Sequence, residues 1–535
     1  MDATPTLQER IDYTTVLPEP TKRLILAGVL LTLFLTALDQ TIVAAALPKI
    51  LAELKGVGLL AWLSTAYLLC STATVPIYGK LSDLYGRKPI LLIGISIFLV
   101  GSMLCGLAPT ILTLAICRGL QGLGAGAITA LAFTIPADLY VPAERAKLQG
   151  LFTSVFALSS VLGPFLGGFL TDTLGWRWIF YVNLPFGAIA VGFIVAYMPR
   201  LESGLRTAVD YLGAVLLVAT VVPLLLALTL DRTVYPWTSP TILGLLGGSI
   251  FSLITFLWVE KRAEGPILPL QLFKLPIYTL IIGISSLMGS VFLTVVLFIS
   301  LFLVNVLGTT ATEAGTALIP LTIGLMVSSI LCGNIVQRTG RYKIIALIGL
   351  TLVSTGVFLL SQLSVTSTIW DVRLKLGIMG LGFGATFPQL NLALQNAVSY
   401  SVVGSATASR QFFQQLGQAI GAAIFGALLA SLLTSAIAHN LEPIIAPLPP
   451  ELGALLHPDR LRNGRAEAVK ELGSLTAQLP ANQKQALSQK VDQALRQSFA
   501  SGVAQIYAFT VPLPLLALLF GFGVPELPLR KSNQT

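Results

Sequence analysis

Charged side chains inside apolar stretches are the residues of this chain with most reason to do chemistry. Asp39 interrupts LTALDQTIVAAALP, and a charge near a bilayer centre costs at least about 2.5 to 3.5 kcal/mol. Burial favours the neutral acid and a nearby cation favours the carboxylate, so an acid facing a cavity can bind and release a proton near neutral pH. A structural acid, hydrogen-bonded to a neighbouring helix, is the competing reading. Arg118, in ICRGLQGLGAG, is the expected counter-charge because an arginine keeps its proton. Where the two side chains meet, protonating Asp39 weakens the pair and links proton occupancy to helix position. An arginine that only satisfies helix carbonyls is the alternative.

GKLSDLYGRKP supplies a second constellation. Gly79 and Gly86 permit a tight turn, Asp83, Arg87 and Lys88 place charges beside helix ends, and Asp138 is a partner on the same side, which together suit a gate between halves. An ordinary basic loop would carry the Arg and Lys but would not need the glycines and the acid. In VLGPFLGGFL, Pro164 removes a backbone hydrogen bond while Gly163, Gly167 and Gly168 admit a neighbouring helix, so a kink or hinge is expected there. Plain helix packing uses the same small residues.

Amides inside apolar runs are candidates for a substrate cavity: Gln40 and Gln121 beside the two charges, Gln389 and Asn391, and Gln411 and Gln415, with Gln395, Gln414 and Gln418 nearby. Such groups also tie helices together, at about 0.6 kcal/mol on average. Cys70, Cys105, Cys117 and Cys332 show no metal or pairing pattern and read as small core residues, and His439 and His457 fall in or near a polar stretch. No GxxxxGK[ST] loop is found, so ATP drive is not expected, nor is a metal or other cofactor.

The elements that must hold these residues are membrane spans. Of 535 residues 55% are hydrophobic and only 11% charged, against roughly 25% charged in soluble domains, and mean hydropathy is +0.83. Apolar runs give about 14 spans, at 24–47, 58–78, 89–107, 110–136, 147–171, 176–198, 209–230, 240–259, 277–306, 313–335, 343–362, 372–395, 403–436 and 502–522. The formal charge of +9 is scattered through short loops without interleaved aromatics, which argues against nucleic acid. Lys and Arg are in excess in the loops that share a side with the N-terminus, so both termini are expected in the cytoplasm. The first 23 residues lack the basic start and apolar stretch of a cleaved signal.

The chain also repeats itself. GKLSDLYGR at Gly79 returns as GNIVQRTGR at Gly333, GPFLGG at Gly163 as GQAIGA at Gly417, and GLGAGA at Gly122 as GLGFGA at Gly380, at an offset of about 254 residues. Six spans fill less than that offset, leaving room for two helices between the copies. The expected organisation is a cytoplasmic segment 1–23, a six-helix bundle 24–198, an inserted pair 209–259, a second bundle 277–522 with an outer loop 440–501, and a cytoplasmic tail 523–535. Leu487, Val491, Leu495 and Phe499 form an apolar stripe that suits a helix lying on the outer face.

These motifs, in this order, resemble the major facilitator superfamily, and within it the 14-helix branch of drug and proton antiporters. GKLSDLYGRKP is similar to the loop motif of the superfamily as a whole, LDQTIVAAALP and WRWIFYVNLPFG to first- and sixth-helix motifs of that branch, RGLQGLGAG to the fourth-helix motif and GPFLGG to the antiporter motif of helix five. The resemblance implies an all-α membrane protein of two six-helix repeats plus two inserted helices. It implies proton coupling through Asp39, control by Arg118, gating by Asp83 and Arg87, and antiport geometry from Pro164 and its glycines. Gln337 replaces the loop acid in the second copy, and Ala44 stands where the branch commonly has Asn. The expected activity is proton-driven export of small lipophilic or amphipathic compounds, neutral or weakly cationic ones fitting at least as well as dications, since Asp39 is the only clear acid inside a span. A dedicated exporter of one metabolite, siderophore or lipid, and a transport-inactive receptor, are the alternatives. The sequence leaves a periplasmic adaptor undetermined.

Overall fold

The structure is a computed structural model and describes residues 13–54, 60–201, 208–230, 234–445 and 481–530. Its described elements are helical. The first half holds α1 (Tyr13–Val16), α2 (Glu19–Leu54), α3 (Leu60–Tyr85), α4 (Arg87–Leu107), α5 (Ile111–Leu139), α6 (Pro142–Thr173), α7 (Trp178–Tyr181) and α8 (Asn183–Tyr197). A hairpin of α9 (Tyr211–Thr229) and α10 (Pro240–Glu260) follows. The second half holds α11 (Pro276–Phe302), α12 (Ala311–Ala317), α13 (Ile319–Thr339), α14 (Tyr342–Leu360), α15 (Ile369–Ala397), α16 (Val403–Ile445), α17 (Ala481–Thr510) and α18 (Pro512–Gly523).

Among the described residues 12 helical stretches are long and apolar enough to cross a membrane, where about 14 were expected. The two other long helices, α3 and α15, have 26 and 29 residues. They carry buried polar side chains, Ser71, Thr72 and Ser82 on α3 and Gln389, Asn391 and Gln395 on α15. A helix enclosed by other helices need not be apolar all round. At the other extreme, α10 turns Ile250, Phe251, Ile254 and Trp258 outward, as a lipid-facing helix does.

The two halves are built alike. In the first, α2 packs on α6 and α8, and α5 on α3 and α4; in the second, α11 packs on α16 and α18, and α15 on α13 and α14. The repeated glycine stretches explain why. Gly122 and Gly126 seat α5 on Tyr67, Ser71 and Thr74 of α3, while Gly124 seats it on Gly94 and Phe98 of α4. Gly380 and Gly384 seat α15 on Leu321 and Leu325 of α13, while Gly382 seats it on Gly349 and Val353 of α14. Glycines two apart point to roughly opposite sides of a helix, so one stretch admits a backbone on each flank. Between the halves α6 meets α13 and α3 meets α16, two contacts that exchange when the halves are exchanged.

Several expected boundaries move. The first long helix starts at Glu19 rather than 24, with Lys22 bonded to Thr14 O and Glu19 Oε1 at 2.7 Å each. The polar stretch expected from 440 narrows, because α16 continues to Ile445 and α17 begins at Ala481; the residues between, His457 included, lie outside the described residues. Val491, Leu495 and Phe499 do not lie on an outer surface. They are buried in the same apolar cluster as Leu433, Ile437 and Leu441 of α16, and Asn440 Nδ2 donates to Ser498 Oγ at 2.8 Å. With 43 residues, α16 is about 65 Å long at 1.5 Å per residue, twice a hydrocarbon core of about 30 Å. The stripe therefore finds its partner in the overhang of α16. Pro512 breaks this last span into α17 and α18, whereas α6 runs unbroken across Pro164.

Both described chain ends lie at one end of the bundle. Tyr13 Oη donates to Arg200 O at 2.8 Å, and Arg87 N to neighbouring Leu201 O at 2.9 Å. The C-terminal segment crosses the ends of α14 and α15: Leu527 N donates to Tyr342 Oη at 2.7 Å, and Asn396 exchanges bonds of 3.0 Å with Pro528 O and Arg530 N.

Candidate functional site

Asp39 is fully buried in α2. Its Oδ2 forms an ion pair with Arg118 Nη1 from α5, and its Oδ1 accepts from Gln121 Nε2 at 2.8 Å and Asn183 Nδ2 at 3.1 Å. Gln121 follows Arg118 by one helical turn, so α5 presents both to the same carboxylate, and Arg118 Nη1 also donates to Gln121 Oε1 at 2.8 Å. The guanidinium is steered by Nε to Leu63 O at 3.1 Å and lies over the Tyr67 ring, 4.3 Å from its centroid. Asn183 in turn bonds Ser102 Oγ at 3.0 Å, and Ser102 bonds Phe180 O at 2.8 Å. The carboxylate thus bonds residues of α5 and α8, and the network behind them reaches α3, α4 and α7. Protonation removes the charge that holds α2 to α5, and a buried arginine deprived of its partner is strongly unfavourable. Asn183 and Tyr67 were not singled out from the sequence; a polar amide within an apolar run was the available signal for Asn183. Gln40 is exposed and Ala44 too, because consecutive helical residues point about 100° apart.

The glycine stretch of α6 packs on the turn of α2 that follows Asp39. A side chain at Gly163 would meet Thr41 and Ile42, and one at Gly167 would meet Ile42 O and Ala45; Thr41 Oγ1 donates to Ser159 O at 3.0 Å. Gly168 faces open space and Pro164 is exposed, so neither makes this contact.

At the end carrying the chain termini, Arg87 is buried between two acids, 2.5 Å from Asp83 Oδ1 and 2.9 Å from Asp138 Oδ2. Asp83 Oδ2 crosses to the other half and accepts from Ser405 N at 2.8 Å and Ser405 Oγ at 2.6 Å, in the first turn of α16, where free N–H groups favour an anion. Gly79 lies against Ala408, and Gly404 against Asp83 and Arg87. Gly86 has φ 90° and its counterpart Gly340 has φ 72°, a region that favours glycine. Lys88 is not part of this latch; its Nζ bonds Val195 O at 2.9 Å in the last turn of α8. Gln395 Nε2 to Phe133 O, at 3.0 Å, and Ser329 Oγ to Thr153 Oγ1, at 3.3 Å, also join the halves nearer this end.

The second half holds a charge the sequence reading passed over. Arg410 on α16 is 4% exposed, with Nε bonded to Asn391 Oδ1 at 3.1 Å and Nη1 to Gln414 Oε1 at 2.9 Å. It carried the same signal as Arg118, a charge in an apolar span. Both polar atoms of Gln411, Asn391 Nδ2 and Gln415 Oε1 are buried without a partner among the described residues. Gln389, two residues from Asn391, points elsewhere and borders a small apolar hollow beside Ile284 and Tyr342. A second buried acid also escaped notice: Glu260, whose Oε1 accepts from Leu268 N at 2.5 Å.

Comparison with known proteins fits this arrangement. Residues 29–422 match the family described as Major Facilitator Superfamily. Multidrug transporter protein MdtP of Bacillus subtilis is 38% identical over 393 residues, 73% of this chain and 72% of that one. Efflux pump dotC of Dothistroma septosporum is 32% identical over 395 residues, 72% of this chain and 67% of that one. Among solved structures, the proton:xylose symporter XylE superposes with TM-score 0.62 at 15% identity, covering 95% of this chain and 96% of that one. The human organic anion transporter MFSD10 superposes with TM-score 0.59 at 14% identity, covering 93% and 100%; at these identities the likeness concerns the fold.

Proposed function

Since this chain belongs to the Major Facilitator Superfamily and is a multi-pass membrane transporter rather than an enzyme, we propose that it exports small lipophilic or amphipathic compounds from the cytoplasm in exchange for protons. The observation that carries the reading is the Asp39 cluster: one buried carboxylate that holds α2 to α5 through Arg118, Gln121 and Asn183. Relatives named as a multidrug transporter and an efflux pump support the export direction.

In this reading the deprotonated acid keeps the first half tied together. A proton on Asp39 cancels the attraction to Arg118 and frees α2 to shift against α6, whose Gly163 and Gly167 leave the two backbones nearly touching. That shift is passed to the half-to-half contacts of α6 with α13 and α3 with α16. The Asp83–Ser405 bonds, on the side taken as cytoplasmic, hold that side shut until the halves rock apart. One charge moving with the membrane potential supplies about 2.3 kcal/mol per 100 mV.

The test is reconstitution in vesicles with an imposed proton gradient and a lipophilic dye. Native protein is expected to accumulate dye uphill, and Asp39→Asn to bind dye without accumulating it. Uphill accumulation at the native rate by Asp39→Asn overturns the coupling.

A further inference from the structure

We propose that Arg410, with Asn391 and Gln414, binds the acidic group of an amphipathic organic anion, so that the compounds handled here include aromatic carboxylates. The inference rests on the export reading and names a substrate class for it. Its first support is an imbalance of charge. Arg410 is 4% exposed, an arginine keeps its proton, and its hydrogen bonds go to the amides of Asn391 and Gln414; no carboxylate pairs with it among the described residues. A buried cation ordinarily has an anion beside it. Here the protein supplies oxygen dipoles and leaves the charge itself unmatched.

The second support is an unused donor beside it. Asn391 Nδ2 is a buried donor without an acceptor among the described residues, on a side chain 1% exposed. Native interiors rarely leave such atoms unsatisfied without a functional reason. Asn391 Nδ2, on the amide that Arg410 Nε bonds, puts a free donor beside the guanidinium, as a carboxylate with its two acceptor oxygens requires.

Position gives the third. Gln395, one turn along α15 from Asn391, bonds Thr407, about one turn along α16 from Arg410, and also Phe133 O in the first half. Arg410 and Asn391 therefore lie one turn inward from the layer where the halves meet. Along the same stripe of α15, one and two turns further in, stand Phe387 and Phe383, stacked at 5.3 Å, with Phe292 of α11 edge-on to Phe383 at 5.2 Å. A buried arginine with aromatic rings one and two turns along the same stripe, within about 12 Å, suits a molecule with an acid at one end and a flat apolar body.

Binding of three probes to the purified full-length protein in detergent, read by pyrene fluorescence, tests this: pyrenebutyrate, its methyl ester and pyrenebutylamine. Native protein is expected to bind the acid at least tenfold more tightly than the ester, and the amine no better than the ester. Arg410→Met should erase the preference while binding of the ester changes less than twofold, and Arg410→Lys should retain part of it. Asn391→Leu, which keeps the cation, gives a second route should Arg410→Met fail to fold; it should reduce the preference several-fold. Equal binding of acid and ester by native protein, tighter binding of the amine, or a preference that survives Arg410→Met overturns the site. Because no gradient is involved, loss of proton-driven dye transport alongside an intact acid preference would sink the export reading and leave the site standing.

Discussion

Each half of the molecule buries an arginine, and the two are satisfied in opposite ways. Arg118 meets a carboxylate from another helix, one side-chain amide, a backbone carbonyl and a ring face. Arg410 meets amide oxygens alone. The difference teaches that a buried charge is read through its partner. The protein provides the anion for Arg118 and, among the described residues, none for Arg410. In the two proposals above, one half handles the proton and the other the cargo.

The comparison breaks most visibly at Asp39. Asp39→Asn is expected to abolish uphill accumulation in vesicles, while downhill exchange of dye persists. Next in size is Arg118→Met, which strands the buried carboxylate and should lower the unfolding free energy in detergent by about 3 to 5 kcal/mol. The double variant Asp39→Asn with Arg118→Met should recover more than half of that loss; additivity of the two single changes would show that the pair is not coupled. At the latch, Ser405→Ala removes one of two donors to Asp83 Oδ2 and should weaken closure by about 1 to 3 kcal/mol. Faster labelling of a Thr407→Cys reporter by a permeant thiol reagent would register it.

Arg410→Met sharpens the contrast with Arg118→Met. It strands two amide oxygens but also removes an unmatched buried cation, so its stability should change by less than about 1 kcal/mol. A loss as large as that of Arg118→Met would mean that Arg410 has a structural counter-charge after all. Smallest of all should be Arg341→Gln in the second loop copy. Gln337 and Arg341 are exposed where Asp83 and Arg87 are buried, and surface changes of this kind usually fall within about 0.5 kcal/mol.

Much of this was legible before any fold was known. The apolar runs, the two copies at a constant offset, and the glycine stretches come from local chemistry, and the glycines seat α5 and α15 on their neighbours in matching fashion. Asp39 and Arg118 announced themselves because charges do not enter a membrane idly. Arg410 gave the same signal and was passed over among the glutamines around it. Gln389 and Asn391 are turned apart, since two residues along a helix rotate the side chain by about 200°.

What the sequence by itself determined is a helical membrane protein with two similar halves, since a chain this apolar can satisfy its backbone in lipid by forming helices, and repeated small residues dictate repeated packing. What only the tertiary structure decided is which charges meet. Asp39 and Arg118 are 79 residues apart and Asp83 and Ser405 are 322 apart, and side chains so distant along the chain are brought together by the packing of whole helices. The same packing left Arg410 without a carboxylate, because whether a buried charge is matched depends on every helix that surrounds it.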